Sequence, residues 1–134
     1  MAHLSSSPIL RLLSTIFATI FIGFGINAIL QPASALSFFE WEYPTPDSSK
    51  RIIDGLLLLY GVRDIFMGLA IYVAAWYGDR RTLGGIVVCA SVVAGADGWV
   101  CRVVNGVGGG EWGHWGYAPV VFGVGVLCLG VLDG

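Results

Sequence analysis

Polar positions along this chain are sparse and clustered, and between them run four long apolar stretches. A hydrocarbon core about 30 Å thick is crossed by about 20 helical residues rising 1.5 Å each. Ile9–Leu30 meets that length, with Arg11 near its start and Asn27 near its end. Ile52–Trp76 is longer and carries Asp54, Arg63 and Asp64, while Leu83–Val104 carries Asp97 and, near its end, Arg102. Pro119–Leu132 is shorter, but Trp112, Trp115 and Tyr117 before it extend it through an interface, with a re-entrant segment as the alternative. Runs such as Gly55–Tyr60 and Gly85–Ala90 do not alternate polar and apolar residues, as barrel strands would. The pattern predicts an all-α, polytopic membrane protein. Its four transmembrane helices, about residues 9–30, 52–76, 83–104 and 117–132, would form an antiparallel bundle in a single membrane domain spanning 1–134.

The connections carry the punctuation. Gln31–Arg51 holds Pro32, Pro44 and Pro46 among Phe38, Phe39, Trp41 and Tyr43, a composition suited to a membrane interface. Gly78–Thr82 reads as a tight polar turn, which makes the second and third helices antiparallel neighbours. Asn105–Gly116 is glycine-rich, yet no Lys-Ser/Thr pair or strand-helix context makes it a phosphate loop. Ala33-Ser34-Ala35 resembles a signal-cleavage site, but the apolar stretch before it exceeds the 7–15 residues of a signal core, so the first helix is expected to stay. With the N-terminus inside, Arg11, Arg80 and Arg81 face the cytoplasm against Lys50 and Arg51 outside, a narrow balance in favour of that orientation.

Composition agrees. Charged residues make up 12% of the chain, and mean hydropathy is +0.79, too little charge to solvate the surface of a water-soluble domain. The net charge of −2 and the lack of a basic run give nucleic acid no electrostatic support. Cys89, Cys101 and Cys128 lie in apolar stretches without disulfide or zinc spacing and read as packing residues.

The informative residues are the charges at mid-membrane depth. Asp64 lies at the midpoint of the second stretch beside Arg63, and Asp97 lies about 4–5 Å past the midpoint of the third. Each costs about 2.5–3.5 kcal/mol at a helix centre on insertion scales, so they should face the bundle interior and pair. Tyr60 and Gly68 share a face with Asp64, whereas Arg63 points about 100° away; Ala90, Ala94, Asp97 and Cys101 line one face of the third helix. Small residues around Asp97 (Ala94 with Gly98, Ser91 with Gly95) allow either close helix approach or room for a ligand. In the N-inside orientation Asn27, Asp54, Arg102, Glu111 and His114 all fall toward the outer side. This predicts a polar cavity open on that side and closed on the other.

Asp64, Asp97, Arg63, Arg102 and Tyr60 are the candidate catalytic residues, and Asn27, Asp54, Trp99 and His114 the candidate substrate contacts. Blander roles compete. Arg63–Asp97 or Arg102–Asp64 pairs would fix helix packing alone, Asp54 would cap a helix, Asn27 would bond between helices, and His114 would be a surface loop residue.

Gly61-Val-Arg-Asp64 with Gly68, Ala96-Asp97-Gly98, Gly25-Ile-Asn-Ala-Ile-Leu-Gln-Pro32 and the loop around Gly116 resemble a fungal family of small four-helix membrane proteins classed as a domain of unknown function. Members of such families are often encoded beside natural-product enzymes, which implies processing of a lipophilic metabolite.

Three functions follow as expectations. An intramembrane enzyme would use Asp64 and Asp97 as general acid and base, in either order, with Arg63 or Arg102 orienting them and Tyr60 as an auxiliary donor. Epoxide hydrolysis, cyclisation or isomerisation of a lipophilic small molecule would suit that pair. In residue types the set resembles that of small cofactor-free epoxide hydrolases. A non-enzymatic scaffold would dock neighbouring biosynthetic enzymes at the endoplasmic reticulum through Phe38, Phe39 and Trp41. A small-molecule carrier, with so few helices, would need a homodimer. No nucleophile elbow or metal-ligand motif occurs, and neither metal nor cofactor is expected.

Overall fold

Prolines and short polar residues set the helix boundaries. The computed structural model describes residue 5 and residues 7–133. Helix α1, Pro8–Leu30, opens with the Ser7 hydroxyl accepting from the Ile9 amide and with proline in its first turn, where a missing N–H costs nothing. It stops because Gln31 precedes Pro32 and leaves the helical region. Pro32 starts a short helix, α2 (Pro32–Ser37), within the connection that sequence alone left irregular. Helix α3, Asp47–Tyr77, begins after Pro46 with Asp47 in its first turn, so it starts before the expected Ile52. Gly78 and Asp79 make the tight turn, and the Asp79 carboxylate accepts from the Thr82 amide to cap α4, Arg80–Asn105. The fourth span is built in two pieces, α5 (Glu111–Trp115) and α6 (Ala118–Leu129). It ends short of Leu132, because Gly130 at φ 79° takes the left-handed conformation that closes α6. Among the described residues there is no strand.

Four segments have the length and apolarity to cross a membrane: α1, α3, α4 and Glu111–Leu129, the last being α5 and α6 taken together. The distribution of side chains is that of a protein dissolved in lipid. Asp64 is 2% exposed and Glu111 0%, while Leu59 is 68% and Phe66 69% exposed. These acidic groups within the spans are inside, and these large apolar groups are outside. A chain in water would reverse this.

The bundle is assembled from two close pairs, α1 on α3 and α4 on α6, which meet along α3–α4 and α1–α6. Both pairs close at glycines. A Cβ on Gly25 would stand 2.5 Å from the Gly61 carbonyl oxygen, and one on Gly61 would stand 2.6 Å from the Gly25 carbonyl oxygen. About two turns along α3, a Cβ on Gly68 would lie 2.5 Å from the Ala18 carbonyl oxygen; Gly84 and Gly125 meet likewise between α4 and α6. Backbones at this spacing gain dispersion contact and Cα–H···O contacts, the main sources of helix association where lipid removes the hydrophobic drive.

Toward the α3–α4 turn the interior is apolar, filled by Leu10, Phe21, Ile71, Val87, Val121 and Val124. The interior of this half is apolar as the sequence pattern implied, but its end is not closed: a cavity of about 180 Å³ lies there, lined by Arg11, Asp79 and Arg80 among others. The end of this half is clasped by Asp133, which accepts from the Ser5 amide at 3.1 Å, from the Ser5 hydroxyl and from Arg80. Of the cysteines, Cys101 and Cys128 are buried as expected, but Cys89 is exposed.

Gly61→Leu should lower the thermal midpoint of the purified protein in detergent, by an overpacking cost of about 1–3 kcal/mol. Gly23→Ala, at a position with nothing within 4 Å, should not. Equal midpoints for both variants would refute close α1–α3 packing. The turn gives a second expectation. Hydrogen bonds from Thr82, its backbone N–H first, hold the Asp79 carboxyl below the ordinary aspartate value of 3.8. A depressed folded value means that the carboxylate's contribution is complete above that ordinary value and is lost as pH falls through the folded one. The stability difference between wild type and Asp79→Asn should therefore shrink from about pH 5 to about pH 3, measured by thermal unfolding across that window.

Candidate functional site

On α3, Asp64 faces the interior while Arg63, one residue earlier, projects about 100° around the helix. The arginine stem is long enough to curl back. Its guanidinium lies over the Tyr60 ring, 4.2 Å from the centroid, on the preceding turn. From there Nε and Nη2 donate to Asp64 Oδ1 at 3.1 and 3.0 Å. Across the helix interface Nη1 and Nη2 donate to Asp97 Oδ1 and Oδ2 at 3.1 and 2.9 Å. Asp97 is thus gripped bidentately, whereas Arg63 engages only Oδ1 of Asp64. One cation serves two carboxylates of different helices. The similar depth expected for the two aspartates is the depth at which a single side chain reaches both.

Tyr60 is the link to a cavity beside this triad. The cavity holds about 80 Å³ and is walled by Phe24, Phe38, Phe39, Tyr60, His114 and Tyr117. It lies toward the end bearing α2 and α5, the side on which polar groups were expected to collect. His114 is 6% exposed, so the alternative of a surface loop residue does not hold: α5 folds back onto α4 and carries it inside. Its ring packs 5.0 Å from that of Phe39, and neither ring nitrogen has a hydrogen-bond partner.

The roof is a network around Asn105. Its amide nitrogen donates to the carbonyls of Phe39 and Gly109, both at 2.8 Å, and its oxygen accepts from Trp41 Nε1 at 2.7 Å. Next to it, the buried Glu111 accepts from the Gly108 amide at 2.7 Å and lies 3.5 Å from Arg102. Arg102 therefore belongs to the roof and not to the triad; the alternative Arg102–Asp64 pair does not form, because α4 carries Arg102 more than a turn beyond Asp97 toward α5.

Other expected contacts stand apart. Asp54 is exposed and accepts from the Tyr43 hydroxyl at 2.6 Å. Trp99, about 200° around α4 from Asp97, is 60% exposed on the outer face. Asn27 is half-buried with its amide nitrogen buried and unpartnered, outside the aromatic walls. Of the small residues near Asp97, Gly98 leaves no vacancy, because the Trp115 indole occupies its notch, where a Cβ would stand 2.4 Å from the ring, and donates to the Gly95 carbonyl at 3.0 Å; Ser91 and Gly95 border an open groove of about 370 Å³ on the other side of that indole. Phe39, expected as an exposed docking aromatic, is buried. Sequence reasoning missed Phe24, Tyr117 and Asn105 as parts of the site, and placed Glu111 on the polar side without giving it a partner. Aromatic residues near helix ends carry the same signal whether they anchor in lipid or wall a cavity.

Residues 18–128 match the family described as Domain of unknown function (DUF4267), and the chain belongs to that family. No curated protein and no solved structure matches it. The matched span contains the triad, the cavity and the roof, and leaves the Ser5–Asp133 clasp outside.

Arg63→Met should destabilise the bundle by about 3 kcal/mol, the lower end of the range for stranding a buried charge, since Arg63 is 36% exposed. Arg63→Met combined with Asp64→Asn and Asp97→Asn should recover much of that loss. Additive losses across the three substitutions, read from thermal unfolding, would show that the groups are not coupled.

Proposed function

We propose that this member of the DUF4267 family is a cofactor-independent intramembrane enzyme that works by acid-base chemistry on a lipophilic small molecule. The observation that carries this reading is the pairing of Asp64 and Asp97 through one arginine, at mid-membrane depth and one tyrosine away from an aromatic cavity. Ionisable groups at that depth mark sites of chemistry or transport more often than sites of packing. Two carboxylates on facing helices supply an acid and a base without further groups.

Opening of an epoxide is the reaction we favour. One carboxylate takes a proton from water as the water oxygen bonds to an epoxide carbon; the carbon–oxygen bond of the ring breaks, and the other carboxyl delivers its proton to the departing alkoxide. An internal hydroxyl in place of water gives a cyclic ether by the same transfers, and an isomerisation removes and returns a proton with the same pair. Asp64 Oδ2, the oxygen that Arg63 does not engage, is the proton-handling atom on α3. Arg63 orients both carboxylates, and Tyr60 is an auxiliary donor. Arg102 acts through Glu111 on the roof. Resemblance to fungal membrane proteins encoded beside natural-product enzymes supports a secondary-metabolite substrate and a place in the endoplasmic reticulum membrane, as a monomer, a homodimer or in contact with neighbouring biosynthetic enzymes.

Metabolite profiling of a host that expresses the accompanying pathway tests this directly. With the Asp64→Asn, Asp97→Asn variant at matched membrane levels, an epoxide or uncyclised precursor should accumulate and product should fall at least about 100-fold, as expected for loss of general acid-base catalysis. An unchanged product profile would assign the carboxylates to structure and the protein to a scaffold role.

A further inference from the structure

His114, on the wall of the aromatic cavity, carries an unsatisfied pair of polar atoms. A neutral imidazole carries one N–H donor and one acceptor nitrogen. In His114 both are buried and neither is bonded; the Phe38 carbonyl is near the ring but outside hydrogen-bond geometry. Buried polar atoms nearly always find a partner, so an orphaned pair inside a cavity calls for one supplied from outside the chain. The walls say what kind. Apart from the hydroxyls of Tyr60 and Tyr117 the side chains around His114 are apolar, and no lysine or arginine lines the cavity, so an anion would lack a counter-charge. A neutral oxygen is the group that fits.

Size narrows the class further. A dry cavity of about 150 Å³ accepts benzene. At about 80 Å³ this one takes a few heavy atoms and excludes a ring system. Phe24 on α1 and Phe38 after α2 are among its walls, the first half-buried and the second exposed.

We propose that the cavity seats the oxygen-bearing end of an elongated, uncharged lipophilic molecule, with His114 donating a hydrogen bond to that oxygen while the remaining chain lies between Phe24 and Phe38 in the bilayer. This rests on the reading of the bundle as acting on a lipophilic molecule, and it names which end of that molecule enters. It also sets the reactive oxygen against the Tyr60 face, behind which Arg63 and the carboxylates lie.

The test separates binding from turnover. The chain has two histidines, His3 and His114, so isotope-labelled histidine gives two imidazole spectra, and His114→Phe assigns them. Full-length protein in nanodiscs is titrated with methyl dodecyl ketone, which acid-base chemistry of this kind does not open, and with tetradecane as the control. The ketone should produce a saturable shift of the His114 ring nitrogens, tetradecane should not, and Asp64→Asn, Asp97→Asn protein should keep the response. Retention of that response in a variant whose product profile is unchanged would sustain the binding site while removing the acid-base reading. A His114 signal that stays put with the ketone, or moves equally with tetradecane, overturns the inference. Because the decisive signal comes from wild-type protein, a poorly folded His114→Phe costs only the assignment. Histidine at position 3 replaced by glutamine (His3→Gln) supplies that assignment independently.

Discussion

Everything inside this bundle is arranged around one guanidinium. Two aspartates at mid-membrane depth would each oppose insertion by about 2.5–3.5 kcal/mol on insertion scales. Arg63 adds a third charge, yet it gives both carboxylates a partner at hydrogen-bond distance. For it to do so, α3 and α4 must stand side by side with residues 64 and 97 at one level. The short Gly78–Asp79 turn sets that register, and the Asp79 cap holds the start of α4 in place. The Tyr60 ring beneath the guanidinium fixes the curl of the arginine stem and turns its other aspect to the cavity. Charge pairing, helix register and cavity wall are thus three aspects of one arrangement.

The glycine contacts belong to the same logic. Where helices cannot gain by leaving water, they gain by touching, and the Gly25–Gly61 and Gly84–Gly125 approaches bring two backbones together in each pair. The half near the turn fills with apolar side chains, whereas in the half near α2 and α5 aromatic rings surround His114.

Much of this was legible in the sequence. Four apolar stretches, the tight turn, and the pairing of charges at matched depth all follow from length, hydropathy and the cost of an unpaired charge in lipid. Asp64, Asp97, Arg63 and Tyr60 do come together. Other parts could not be read because they depend on contacts between distant segments. Asn105 is one polar residue at a helix end until the fold brings Phe39, Trp41 and Gly109 around it. His114 looked like part of a glycine loop because its burial is decided by how α5 folds back, and glycines conceal such a bend. Arg102 and Trp99 show the converse error. Both were expected to take part in the site, but one lies more than a turn beyond Asp97 along the helix and the other on the opposite face from it.

The hydrogen bonds of Asn105 have a consequence of another kind. By tying the segment around Phe39 and Trp41 to Gly109, they hold the Phe39 wall of the cavity in place on the side of α2 and α5. A lipophilic molecule seated there as proposed would arrive from the bilayer, and its occupancy would follow its mole fraction in the surrounding lipid, not its aqueous concentration. A compound of low solubility would thereby be presented in concentrated form, and dilution by added lipid would empty the cavity as surely as dilution by water empties a soluble site.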